Sequence, residues 1–198
     1  MAVSADQVKE LRERTGAGMM ECKKALVQAQ GDFGRAVELL RTSGIAHAAS
    51  RAGRAASEGL VEAYIHPGNR VGVLIEVNCE TDFVARTSEF RDLVRNLALQ
   101  VAAAGAEFVW REDVPAERIE QERAIYAAQI AGQGKPPAIV EKIVSGKLEK
   151  FYSEICLLEQ PYIRDDKTTV GELVREASSR TGENIQVRRF ARFRLGQE

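Results

Sequence analysis

Histidine is scarce, long apolar runs are missing, and no nucleophile sits at a recognisable spacing from a base; each absence removes a class of function. The two histidines, His47 and His66, fall in an alanine-rich connector and at a hairpin turn, without the carboxylate or nucleophile neighbours that acid–base chemistry needs. No enzyme activity is expected. The "GAG" at 16–18 follows a helix rather than a strand and lacks a third glycine, so it reads as a helix end capped at Gly16, not as a dinucleotide fingerprint. A phosphate loop with lysine and hydroxyl is also absent, and the chain is expected to hold no nucleotide, cofactor or metal of its own. Three cysteines (Cys22, Cys79, Cys156) are odd in number and far apart, which argues against a zinc or redox site and for buried thiols in a reducing compartment.

The opening "MAVSADQVKELRER" is charged and polar, without the apolar core of a signal peptide, and no run of about 18 apolar residues follows. A cytoplasmic protein with no membrane contact is expected. The net charge of −1 is too even a balance for a protein devoted to a nucleic-acid backbone, so no direct nucleic-acid partner is expected.

What is present suffices for folding: 198 residues, 44% hydrophobic, can form one substantial core or a small domain joined to a larger one. Residues 5–43 read as three short helices, "ADQVKELRER", "MMECKKALVQAQ" and "DFGRAVELLRTS". In the third, Phe33, Ala36, Val37 and Leu40 make one apolar stripe. The segment "IAHAASRAGRAASEG" carries no large apolar residue after Ile45 and suits a helical or flexible connector, which sets a three-helix module and linker at 1–55 apart from a core at 56–198. In that core, 60–79 reads as a hairpin with Val71, Val73, Ile75, Val77 and Cys79 on one face. Helical stripes recur over 87–180, and the strand 184–195 alternates Ile185, Val187, Ala191, Phe193 and Leu195 with arginines. The expected fold class is α+β, with a small antiparallel three-stranded sheet packed with helices.

Three places invite a functional reading. Met19, Cys22, Leu26 and Ala29 share a helical stripe, whereas Met20 lies about 100° away and faces outward as a partner contact. In "VRRFARFR" the arginine and aromatic residues resemble a base-stacking platform only loosely; the alternation instead places Phe193 in the core and leaves Phe190, on the arginine side, for a protein interface. The third is "TDFVARTSEF" at 81–90. Phe83 and Phe90 are seven apart, and a continuous helix would bury both, but Arg86 and Thr87 interrupt the stripe and Thr87–Ser88–Glu89 reads as a fresh helix start. A short turn carrying Asp82 and Phe83, followed by a new helix, is the expectation.

Three stretches, "VKELRERTGAGMMECKKAL" at 8–26, "EVNCETDFVAR" at 76–86 and "GENIQVRRFARF" at 182–193, resemble the elongation factor Ts family of guanine-nucleotide exchange factors for elongation factor Tu. The resemblance implies a ubiquitin-associated-like three-helix module and a core that grips elongation factor Tu, both GDP-bound and nucleotide-free, and opens its GDP site. It further implies that Thr81, Asp82, Phe83 and Val84 form the segment that dislodges the partner's magnesium ion. Leu11, Arg12, Met19 and Met20 match module positions that touch the GTPase domain. Longer family members carry a duplicated core and an inserted coiled coil, whereas this chain resembles a single-core form that would pair through its sheet as a homodimer. Some relatives bear a cysteine between the two aromatics of the last strand; Ala191 stands there in this sequence, which leaves no thiol for a covalent pair. Two rival readings stay open at this point: a helical or ubiquitin-like partner-binding module without exchange activity, and an RNA-binding protein using the arginine-rich strand.

Overall fold

The computed structural model describes residues 3–15, 17–133 and 135–197, with the backbone but not the side chains of 45–50. Gly16 and the side chain of His47 therefore lie outside the described residues. Eight α-helices and five strands form among those described, an α+β fold with a small three-stranded antiparallel sheet. Among the same residues no helix is long and apolar enough to cross a membrane.

The sheet grows from the alternating run. Strand β1 (Glu58–Ile65) turns back into β2 (Val71–Cys79), and β5 (Gln186–Arg194) completes the order β1-β2-β5. At the hairpin tip Asn69 N–H donates to the His66 carbonyl (2.9 Å), with Pro67 and Gly68 between them and Gly68 at φ +93°. Proline fixes the first of these positions and glycine tolerates the left-handed second, the pattern of a type II turn. Val73, Ile75, Val77 and Cys79 are all buried, as the period of two requires.

Two compact units divide the chain, each assembled from separate segments. The first comprises 1–60, 77–93 and 172–187. Its helices α1 (Ala5–Thr15), α2 (Met19–Gln28) and α3 (Phe33–Arg51) bury Val8, Leu11, Cys22, Ala25, Leu26, Ala29 and Ala36 against one another. The third helix is longer than its apolar stripe: it continues through the alanine-rich connector to Arg51, consistent with the helix preference of alanine. It meets α8 (Val170–Thr181) closely at Gly44, where an added Cβ would stand 2.6 Å from Ser179 Oγ. Arg41 adds ion pairs to Glu172 (3.9 Å) and Glu176 (3.7 Å) across the same seam.

The second unit comprises 61–76, 94–171 and 188–198. Helices α6 (Ala116–Ile130) and α7 (Pro137–Ile155) form a hairpin around Ile130, Val144 and Leu148 at one end and Val114, Phe151, Ile155 and Cys156 at the other. Arg111 clamps that second end: its guanidinium donates to Glu159 through two bonds of 2.6 Å and to Glu149 at 3.0 Å, and lies 4.7 Å over the Tyr152 ring. The unit also contains a short ribbon that the sequence pattern did not announce, β3 (Pro161–Tyr162) against β4 (Asp165–Thr169). It is held by the fully buried Gln100, which donates to Gln160 Oε1 and the Pro161 carbonyl (both 3.1 Å) and accepts from Ile163 N–H (2.9 Å).

One strand assignment is corrected. Phe193 was expected in the core and is 72% exposed. Alternation holds over Ile185 and Val187, both buried, but then changes phase: Arg188 and Arg189 are both exposed, and the inward positions become Phe190 and Arg192, each half-buried. Arg192 reaches the Ala102 carbonyl (3.4 Å) with its side chain, so an arginine stem takes the place that strict alternation reserves for Phe193.

Two glycines with opposite environments test the backbone argument. Gly59 sits at φ +141°, and a Cβ there would stand 2.1 Å from the Val77 carbonyl oxygen, whereas Gly146 in α7 faces open space. Gly59→Ala is expected to destabilise by at least ~2 kcal/mol through backbone strain, and Gly146→Ala to stabilise by about 0.5–1 kcal/mol. The urea midpoints of the two variants should shift in opposite directions.

Candidate functional site

Strand β2 ends at Cys79, and four residues later the chain displays Phe83, the most exposed phenylalanine among the described residues. Thr81, in extended conformation (φ −129°, ψ 153°), caps α4 (Asp82–Ala85), its hydroxyl oxygen accepting from Val84 N–H at 3.4 Å. Thr87 then closes the turn, donating to the Val84 carbonyl (2.8 Å), and caps the next helix by accepting from Phe90 N–H (3.2 Å). That helix, α5 (Ser88–Ala104), buries Phe90, Leu93, Val94, Leu97 and Val101. The break at Arg86–Thr87 resets the helical phase as expected: Ala85 takes the buried position of α4 and Phe83 is 78% exposed.

An exposed phenyl on a single helical turn needs a stiff support. Below it, the Glu183 carboxylate accepts from the N–H groups of Glu80 and Thr81 (both 3.0 Å) through one oxygen and from the Thr81 hydroxyl (2.6 Å) through the other. Cys79 Sγ donates to the Thr81 carbonyl (3.2 Å). Burial, helped by the nearby Glu183 charge, pushes the Cys79 thiol up to about 11, so it remains a neutral donor at neutral pH. Asp82 pairs with Arg86 at 2.8 Å on the exposed face of the turn. Such a surface pair is worth only about 0.2–1 kcal/mol, so the Asp82 carboxylate is readily released to another cation.

The module residues divide by depth. Arg12, Met19 and Met20 are exposed, while Leu11 is fully buried in the three-helix core and supports the surface from beneath. Met20 faces outward as its phase predicts. Met19 does so too, at 45% exposure, because it is the first residue of α2 and the buried stripe begins one turn later at Cys22. Phe190 is half-buried rather than displayed.

The arginines of β5 differ in their surroundings: Arg188 and Arg194 are exposed, whereas Arg189 and Arg192 have partners. Arg189 Nε is bound to Glu76 at 2.7 Å, and Arg192 is occupied by the Ala102 carbonyl and by Gln197 Oε1 (3.2 Å). On the face of the sheet that carries Arg189 and Glu76, Ile65, Leu74, Phe193 and Leu195 are exposed around a shallow groove of about 500 Å³ that Arg70 and Arg194 also line. Sequence reasoning overlooked this groove by assigning Phe193 inward, and overlooked Glu183 because its bonds to residue 81 span 102 positions of chain.

A family model described as elongation factor TS matches residues 2–197. The chain is 60% identical to elongation factor Ts of Moorella thermoacetica over 195 residues, covering 98% of this chain and 96% of that protein. It is likewise 58% identical to the Carboxydothermus hydrogenoformans elongation factor Ts (98% and 90% covered) and 57% identical to that of Caldanaerobacter subterraneus (98% and 98%).

The raised thiol pKa has a consequence for stability. Below about 9 Cys79 is neutral in both folded and unfolded chains; between about 9 and about 11 it ionises only when unfolded, and the unfolded state gains. Wild type should lose stability as pH climbs through this window. Cys79→Ala should lose less in urea titrations over the same range, and an equal loss in both proteins would contradict the assignment.

Proposed function

Because the chain belongs to the elongation factor Ts family, and so promotes nucleotide exchange on elongation factor Tu during translation elongation, we propose that the Thr81–Val84 turn is the element that opens the partner's GDP site. The observation that carries this is Phe83: a largely exposed ring on a capped turn whose base is fixed by three hydrogen bonds accepted by one carboxylate. An exchange factor works only by binding the open state of its partner better than the closed one, and nucleotide then weakens the factor by the same ratio. This reciprocity lets the factor leave once GTP has entered.

Magnitudes distribute the work. Moving a phenyl ring into an apolar pocket gains roughly 1.5–3 kcal/mol, while shifting a population from 1:99 to 99:1 needs about 5.5 kcal/mol. Phe83 is the wedge and supplies part. Asp82 supplies another part by exchanging its weak Arg86 pairing for the surroundings of the partner's magnesium, where a carboxylate competes for water or displaces a metal-binding loop. The rest comes from contacts that favour the open form. In this reading residues 1–55 recruit the GTPase domain through Arg12, Met19 and Met20, with Leu11 supporting them, and residues 56–198, with Phe190, are the exchange core. The protein acts in the cytoplasm without performing covalent chemistry.

A second copy of the chain is the occupant proposed for the apolar face of the sheet. Val61, Ile65, Leu74, Phe193 and Leu195 are exposed there, and contiguous apolar surface of this kind is characteristic of protein interfaces. A homodimer would give one assembly two exchange turns.

Phe83→Ala should slow stimulated release of a fluorescent GDP analogue by about 10- to 100-fold in stopped flow, the kinetic equivalent of the lost burial. Asp82→Ala should also slow release, with a smaller effect when free magnesium is chelated. Unchanged rates in both would remove the turn from the mechanism. Separately, Phe193→Asp should convert a dimer to a monomer in sedimentation equilibrium, and a wild type that is monomeric at all concentrations would end the dimer reading.

A further inference from the structure

We infer that Glu183 is a positioning residue for exchange, acting through the Thr81 cap; the inference rests on the exchange role proposed for that turn. Glu183 lies just beyond α8, where Gly182 (φ +75°) reverses the chain, and its own backbone is pinned there: Ser178 Oγ donates to the Glu183 carbonyl at 2.5 Å. From this fixed point its carboxylate takes the N–H groups of Glu80 and Thr81 and the Thr81 hydroxyl proton.

The third bond determines how the cap operates. A threonine hydroxyl has one proton and two lone pairs. With its proton drawn to Glu183 at 2.6 Å, the Thr81 oxygen presents a lone pair to Val84 N–H, the bond that starts α4 and sets the direction of Phe83. Without Glu183 the hydroxyl is free to rotate and two backbone donors at the root of the turn lose their acceptor, in a segment where charge-assisted bonds are the strong ones. The wedge would then adopt several directions, and only the productive one fits the partner.

The neighbouring Asn184 strengthens the same root. Its N–H donates to Glu80 Oε1 (2.7 Å), and its side-chain amide donates to the carbonyls of Arg54 (2.7 Å) and Ala52 (3.3 Å) beyond α3. Glu80 is thus held at its backbone by Glu183 and at its side chain by Asn184 and Arg54 (3.5 Å). The Glu183 carboxylate acts at the root of the turn, on Glu80 and Thr81, while the recruiting side chains Arg12, Met19 and Met20 lie on the three-helix module.

The test compares Glu183→Ala and Glu183→Gln in stopped-flow GDP release as a function of exchange-factor concentration, alongside amide hydrogen exchange of residues 80–85 in the free protein. Glu183→Ala should lower the maximal stimulated rate about tenfold while moving the half-saturating concentration less than about threefold, since the recruiting surface is intact. Glu183→Gln should recover most of the rate: its carbonyl oxygen still accepts from both backbone groups, and its amide can donate to Thr81. In the free protein the Thr81 and Val84 amides should lose protection in Glu183→Ala and keep it in Glu183→Gln. An Ala variant with unchanged maximal rate and unchanged protection overturns the inference, as does a Gln variant as slow as Ala while remaining folded. If wild type fails to stimulate release but the Ala variant still loses amide protection, the positioning stands and the exchange reading of the turn falls.

Discussion

Burial of alternate residues along β2, from Val73 to Cys79, commits that strand to the middle of the sheet, and the functional turn begins where it ends. A strand so committed cannot slip by one residue without turning Val73, Ile75, Val77 and Cys79 outward. Its register therefore fixes where Glu80 and Thr81 emerge, and with them the direction in which Phe83 is presented. The hairpin turn at 66–70 and the glycine at 59 serve the same register, one by setting the loop and the other by permitting close approach of β1 to β2. An exposed ring on a flexible loop would have to be ordered before any contact could hold it; one at the end of a buried strand has already been ordered by folding.

The chemistry of the turn follows a division between groups held fixed and groups left available. The N–H groups of Glu80, Thr81 and Val84, the Thr81 hydroxyl and the Cys79 thiol are engaged internally, while Phe83 is largely exposed and Asp82 carries a weak surface pair with Arg86. The two available side chains differ in kind, an apolar ring and an anion. The three-helix module repeats this division: Leu11, Cys22 and Leu26 build its interior, and Met19 and Met20 are left at the surface with flexible side chains suited to packing on a moving partner.

How much of this could be read from the sequence depended on the range of the interaction. The hairpin, the three N-terminal helices, the break at Arg86–Thr87 and the outward Met20 all rest on local periodicity or local capping, and all appear in the structure. Phe193 was misplaced because a change of phase near Arg189 has no local sign: every residue from Arg188 to Arg194 remains compatible with a strand of either phase. The β3–β4 ribbon was missed because its second strand, Asp165–Thr169, is polar throughout and its anchor Gln100 lies on a distant helix. Glu183 was missed for the same reason, since a carboxylate two residues past a helix end looks like ordinary surface charge until the chain has folded.

The fork at Glu80 gives the protein a temporal property as well as a spatial one. Residues 80 and 81 are synthesised early, but the carboxylate that orders them is 103 and 102 positions further along, respectively. Until residue 183 has been made and has docked, the Glu80 and Thr81 N–H groups lack this acceptor, so the root of the turn is completed only when the chain is nearly whole.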